Sequence, residues 1–235
     1  MLRTFAVLFL AVLFVPLSVA GRAGADDRTY APPLAHYPLS SDGADATGNN
    51  APMTLVNVIF NDGGLACNGI SSNTEDGSQA ETPHIEGFDF NSIAFSVEFK
   101  LPAYPTEGHS RPIIVGGKLY RWMGAEINWN GQVKLLYNNS MTVTSVRGVT
   151  LNEWHELVLA YSTTSHVGRL YVDGEQYALA EFVMQHGDDS DICITNWSTA
   201  ACFLGWIREL VVYPAAYDPT PVEETTWGRI KALCR

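Results

Sequence analysis

The sequence predicts an all-β fold of the sandwich type, and three observations predict it. Segments of alternating polarity recur. In Ile93–Lys100 the apolar Ile93, Phe95, Val97 and Phe99 share one face, and Ala94, Ser96, Glu98 and Lys100 share the other, the period of two expected of a half-buried strand. Turn residues punctuate such segments, as at Asn130-Gly131 and Gly174. The chain has 235 residues, 46% of them hydrophobic, enough to bury one large core without dividing into domains.

Taken in order, residues 1–20 read as an export signal. Arg3 supplies the positive start, Phe5–Val15 the apolar run and Ser18-Val19-Ala20 the small-residue cleavage site, with Ala23-Gly24-Ala25 as a second candidate site. The run is shorter than the ~20 residues needed to span a bilayer. No later segment approaches that length, so the mature chain is expected to carry no membrane span and to be secreted, extracellular or periplasmic. Residues 21–34 are small and polar and read as a loose leader, and 35–235 as the folded domain. Strands are predicted at His36–Leu39, Met53–Phe60, Leu65–Cys67, Ile93–Lys100 and Pro112–Val115. They continue at Leu119–Met123, Ala125–Asn128, Val133–Tyr137 and Met141–Arg147, then Trp154–Tyr161, Arg169–Asp173, Tyr177–Phe182 and Phe203–Tyr213. Ser40–Asn50, Ser71–Pro83, Ala103–Arg111 and the acidic His186–Asp191 read as loops. A short C-terminal helix follows. Thr220 is its N-cap, Pro221 its first residue and Glu223 completes a T-x-x-E capping box, with Val222, Thr226, Ile230 and Leu233 on one face.

One turn is fixed by register. A two-residue Asn130-Gly131 turn would set Ile127 against Lys134, apolar against polar. A three-residue loop, Trp129-Asn130-Gly131, pairs Ile127 with Val133, Glu126 with Lys134 and Ala125 with Leu135. It also puts Gly131 at the left-handed position of that loop type and Trp129 at the tip, away from the core.

The four cysteines, Cys67, Cys193, Cys202 and Cys234, follow an export signal and suggest disulfides, for which three connectivities are open. Our reading pairs Cys193 with Cys202 as a local clip, leaving Cys67 for Cys234.

The stretch Asn152–Gln176, NEWHELVLAYSTTSHVGRLYVDGEQ, carries W-H-x-L…G-x-L-Y-V-D-G. It resembles the concanavalin A-like jelly roll, in particular its laminin G-like branch. Asp45, Thr47, Gly48 and Asn49 match that family's D-x-[ST]-G-N loop, and Phe95–Phe99 its F-S-V-E-F strand. FLGWIRELVVY, Phe203–Tyr213, is similar to its last strand, F-x-G-x-I-D-E-V-R-I-Y, with Arg208 in place of the Asp. The resemblance covers residues 35–233. It implies an antiparallel two-sheet jelly roll, a fold that hosts lectins, adhesion modules, enzymes and structural domains alike.

The net charge of −11 argues against nucleic acid as a partner, because phosphate recognition needs basic patches. The paired acids E-x-D-x-x-E of the fold's laminarinase-like relatives are missing, and His155-Glu156 lacks the second His of H-E-x-x-H. The resemblance implies calcium at the sandwich edge. Asp45 and Glu209 remain as oxygen ligands there, although Arg208 brings a positive charge, and Asp188, Asp189 and Asp191 form a second acidic cluster. Sugar sites combine aromatic faces with Arg, Asn and His donors. Residues 109–137 hold these types densely: Tyr120, Trp122 and Tyr137 read as core or sheet-face aromatics, while His109, Arg111, Arg121, Asn128, Trp129 and Asn130 are the candidate ligand-binding residues. The expectation is a secreted, non-enzymatic module that recognises a glycan or an extracellular protein. A hydrolase with acids from separate strands, or a structural domain without a small ligand, is the alternative.

Overall fold

The computed structural model describes residues 32–70, 77–88, 92–116, 123–138, 141–184, 192–194 and 202–214. The export signal, the C-terminal helix, Arg121, Cys234 and the 186–191 acidic loop lie outside them.

Among the described residues fifteen strands follow one another: β1 (Ala35–Tyr37), β2 (Thr54–Val56), β3 (Ile59–Asn61), β4 (Gly64–Asn68), β5 (Gln79–Glu81), β6 (Ser92–Lys100), β7 (Ser110–Gly116) and β8 (Met123–Asn128), then β9 (Gln132–Tyr137), β10 (Met141–Gly148), β11 (His155–Ser162), β12 (Val167–Val172), β13 (Glu175–Glu181), β14 (Ile192–Ile194) and β15 (Leu204–Tyr213). They form two antiparallel sheets. One runs β13-β12-β11-β6-β15-β4-β3, with β1 also paired to β15. The other runs β10-β9-β8-β7-β14-β5-β2. This is the expected all-β, two-sheet jelly-roll sandwich.

Period-two burial builds the core between the sheets. Phe95, Val97 and Phe99 of β6 are fully buried, as are Leu157 and Leu159 of β11 and Ile207, Leu210 and Val212 of β15. Opposite them stand Ile114, Ala125, Ile127, Val133 and Leu135. Each large side chain withdrawn from water contributes roughly 1.5–3 kcal/mol.

Three elements differ from expectation. Met53–Phe60 is two strands on different sheets. The chain crosses from β2 to β3 at Asn57, whose φ of 48° is left-handed. Its side-chain Nδ2 donates to Gly77 O at 3.2 Å and its backbone carbonyl accepts from Ser78 Oγ at 2.9 Å. The stretch read as a long loop from Ser71 to Pro83 contains β5, in which only Ala80 turns fully inward, so alternation left almost no apolar trace. β14 was not legible for a related reason: it is three residues long and buried throughout.

Cys67, Cys193 and Cys202 are all buried, and Cys234 lies outside the described residues. Ile192 and Ile194 belong to the core, so Cys193 projects from the outer face of its sheet, whereas Cys202 leads into β15 of the other sheet.

Candidate functional site at one end of the sandwich

The β8–β9 hairpin has the three-residue loop that register requires. Ile127 pairs with Val133, Glu126 with Lys134 and Ala125 with Leu135. Gly131 takes φ 76°. Asn128 is spent on this turn: its Oδ1 accepts from Asn130 N and Gln132 N, both at 2.9 Å, and its Nδ2 donates to Gln132 Oε1 at 3.0 Å. Buried and engaged in this way, Asn128 holds the turn, and its side chain is directed at the loop backbone and Gln132. Trp129, 42% exposed, and the exposed Asn130 form the tip.

Tyr104, in the β6–β7 loop, packs on this hairpin. Its hydroxyl donates to Val149 O at 2.6 Å. Its ring lies so close to Gly131 that a Cβ there would meet it at 2.7 Å. The Gly131 carbonyl in turn accepts from Val149 N at 2.9 Å. Three loops are thereby locked together, and the aromatic wall rests on the loop that carries Trp129.

Beside Tyr104 a pocket of about 150 Å³ opens between the ends of the sheets. Leu101 and Ile127 extend the core into its floor, Asn68, Gly69 and Leu204 form one side, and Tyr104 and Thr106 the other. Arg111 also lines it. Its place opposite Ile127 in the β7–β8 ladder turns the guanidinium inward, where Nη1 reaches Gly69 O at 3.4 Å. His109 is exposed on the preceding turn, its N–H donating to Thr106 O at 2.9 Å, and does not line the pocket. The structure thus brings Arg111 into the pocket and Trp129 and Asn130 to the adjoining tip. Tyr104, Asn68 and Leu204 were missed from sequence. The available signal was Tyr104 between Pro102 and Pro105, an aromatic in a segment that prolines stiffen.

The candidate calcium ligands lie elsewhere and are already engaged. Asp45 accepts five hydrogen bonds: His36 N (2.9 Å) and Thr47 N (3.0 Å) on Oδ1, and Thr47 Oγ1 (2.6 Å), Asn50 N (2.9 Å) and Asn50 Nδ2 (2.8 Å) on Oδ2. Burial by itself pushes this carboxyl up, but those hydrogen bonds outweigh it and hold the group at about 2. Glu209 Oε2 pairs with His36 Nε2 at 2.8 Å. Among the described residues no group of three or more His, Cys, Asp or Glu side chains is arranged to hold a metal.

Arg208, which stands where the resemblance expects an Asp, is bound twice. Nε donates to Glu98 Oε2 at 2.7 Å, and the guanidinium lies 4.0 Å from the centre of the Trp154 ring. Lys100 sits over both Trp154 and Trp206, at 5.1 and 4.7 Å. Trp154 and Trp206 are therefore packing residues, with cations as their partners. Tyr137 stacks on Phe182 with centroids 4.4 Å apart. His155 is a strand residue whose Nδ1 pairs with Asp173 Oδ2 at 2.7 Å, a bond from the start of β11 to the β12–β13 turn.

Comparison with known proteins places this architecture. No curated protein sequence matches the chain. Domain 4 of the extracellular arabinanase AbnA of Geobacillus stearothermophilus, solved in complex with arabinotriose, is 19% identical and superposes with a TM-score of 0.62 over 81% of this chain and 96% of that one. Trypanosoma rangeli sialidase is 18% identical with a TM-score of 0.59 over 76% of this chain and 30% of its own. The receptor-binding domain of botulinum neurotoxin type G is 17% identical with a TM-score of 0.59 over 86% and 52%. At these identities the likeness is one of fold. The family model of laminin G-type domains matches residues 73–223, more than half of the chain and most of both sheets, and the chain belongs to that family of the concanavalin A-like lectin/glucanases superfamily.

Proposed function

We propose that this protein is a secreted binding module that holds a glycan at the end of the sandwich, one sugar unit in the pocket beside Tyr104 and the next across Trp129. The observation that carries the reading is the pocket itself. An apolar floor, an aromatic wall fixed by its hydroxyl and an inward guanidinium combine the stacking and hydrogen-bonding groups a sugar needs. Its size suits one ring: a cavity of about 150 Å³ accepts benzene, whereas pockets for larger ligands run to ~300–1,000 Å³. The arabinotriose held by the arabinanase domain supports a carbohydrate role for this fold, and the export-signal pattern of residues 1–20 and the likeness to a domain of an extracellular enzyme support secretion.

Glycan-array screening followed by calorimetry tests the proposal. Trp129→Ala is expected to weaken the best glycan about tenfold, about 1.4 kcal/mol, with an unchanged melting temperature, because Trp129 is half exposed. Absence of any glycan binding at millimolar concentration overturns it. The exposed Ile70 and Leu204, each at 43%, favour a second reading, an extracellular protein seated on the same end, which a pull-down with no glycan requirement would support.

A further inference from the structure

We infer that the pocket selects an acidic glycan, one bearing a single carboxylate on the sugar it encloses, over the neutral equivalent. The inference rests on the carbohydrate reading of the same pocket and adds the ligand's charge class.

Arg111 is the one charged side chain lining the pocket among the described residues, in a protein whose net charge is −11. The acidic Glu107 lies on the turn nearby but does not line it. A guanidinium presents five N–H donors in a planar fork. Among the described residues this fork makes one hydrogen bond, the long 3.4 Å approach of Nη1 to Gly69 O. The floor beneath it, Leu101 and Ile127, is fully apolar and closed to solvent. Tyr104 offers a ligand no donor of its own, because its hydroxyl hydrogen is given to Val149 O. A planar carboxylate matches this fork in bidentate fashion, and such charge-assisted pairs are shorter and stronger than neutral ones. A hydroxymethyl group in the same place would satisfy one donor. The surrounding acidic field also limits the ligand. A chain of many sulfates or carboxylates meets repulsion outside the pocket, so one carboxylate at the enclosed residue fits better than a polyanion.

The test uses a matched pair: a uronic-acid oligosaccharide and the same oligosaccharide after carboxyl reduction, titrated into the full-length protein. The acidic form is expected to bind at least about tenfold tighter. Arg111→Gln is expected to abolish the difference by weakening the acidic form far more than the neutral one, and Arg111→Lys to retain part of it. Tyr104→Ala weakens both forms. Melting temperatures of the variants separate a lost contact from a lost fold. Equal affinities for the two oligosaccharides in the unaltered protein overturn the acidic preference and leave the carbohydrate reading standing. Binding of neither form, with a neutral glycan also absent from the array, overturns both.

Discussion

Asp45 shows how one side chain can look like a ligand in sequence and act as a staple in the fold. Its two oxygens tie the start of β1 to the loop at Thr47 and Asn50. Losing them is expected to cost about 2 kcal/mol in Asp45→Ala, since three backbone donors would be left without this acceptor. The linkage has a definite sign. The carboxyl is held at about 2 in the folded chain against an ordinary value of 3.8, so its contribution is present above pH 3.8 and is lost as pH falls through about 2. Acid unfolding of the unaltered protein should therefore be steeper over that window than that of Asp45→Ala, and identical acid profiles would refute the staple.

At the scale of elements, β15 carries an irregularity the sequence already encodes. Ile207 and Leu210 both face the core with two polar residues between them, one more than alternation allows. The extra residue is Glu209, at φ 54°, and the pairing with β6 slips between Arg208 and Val211. This is a β-bulge, and it returns Leu210 and Val212 to the inner face. Five residues before the bulge the same strand begins against the pocket, at Leu204. Next to it Gly205 is in register with Cys67, and a Cβ there would collide with Lys100 O and the Phe203 ring. Gly205→Ala is expected to destabilise by about 2 kcal/mol or more. Denaturant midpoints measure this, and a midpoint within error of the unaltered protein would count against the packing described.

At the scale of the whole molecule, both sheets contribute to one continuous core, which predicts one cooperative thermal transition. Tryptophan fluorescence and far-UV circular dichroism should give coincident melting curves, and two separated transitions would mean that the sheets unfold independently. The same melt decides the calcium question. An ion at the β1 corner must displace protein donors from Asp45 and His36 from Glu209. Equal melting temperatures with calcium and with chelator are expected from that hydrogen bonding, whereas a calcium-dependent rise would assign an ion to those carboxylates, because a ligand that binds only the folded state stabilises it.

What the residues alone determined is local or periodic. The alternation along β6 follows from side chains projecting to opposite faces of a strand, and the β8–β9 register follows because a one-residue slip would put Ile127 against Lys134. Such constraints act between neighbours or across one hairpin and can be read without knowing the rest of the chain. The pocket was decided only by tertiary structure. Asn68, Tyr104, Arg111 and Leu204 come from different parts of the chain and converge because the β6–β7 loop folds down onto Gly131. Asp45 and Asn128 reached their roles for the same reason. A carboxylate or an amide is equally suited to a ligand or to a backbone N–H, and which it meets depends on the loops folded around it.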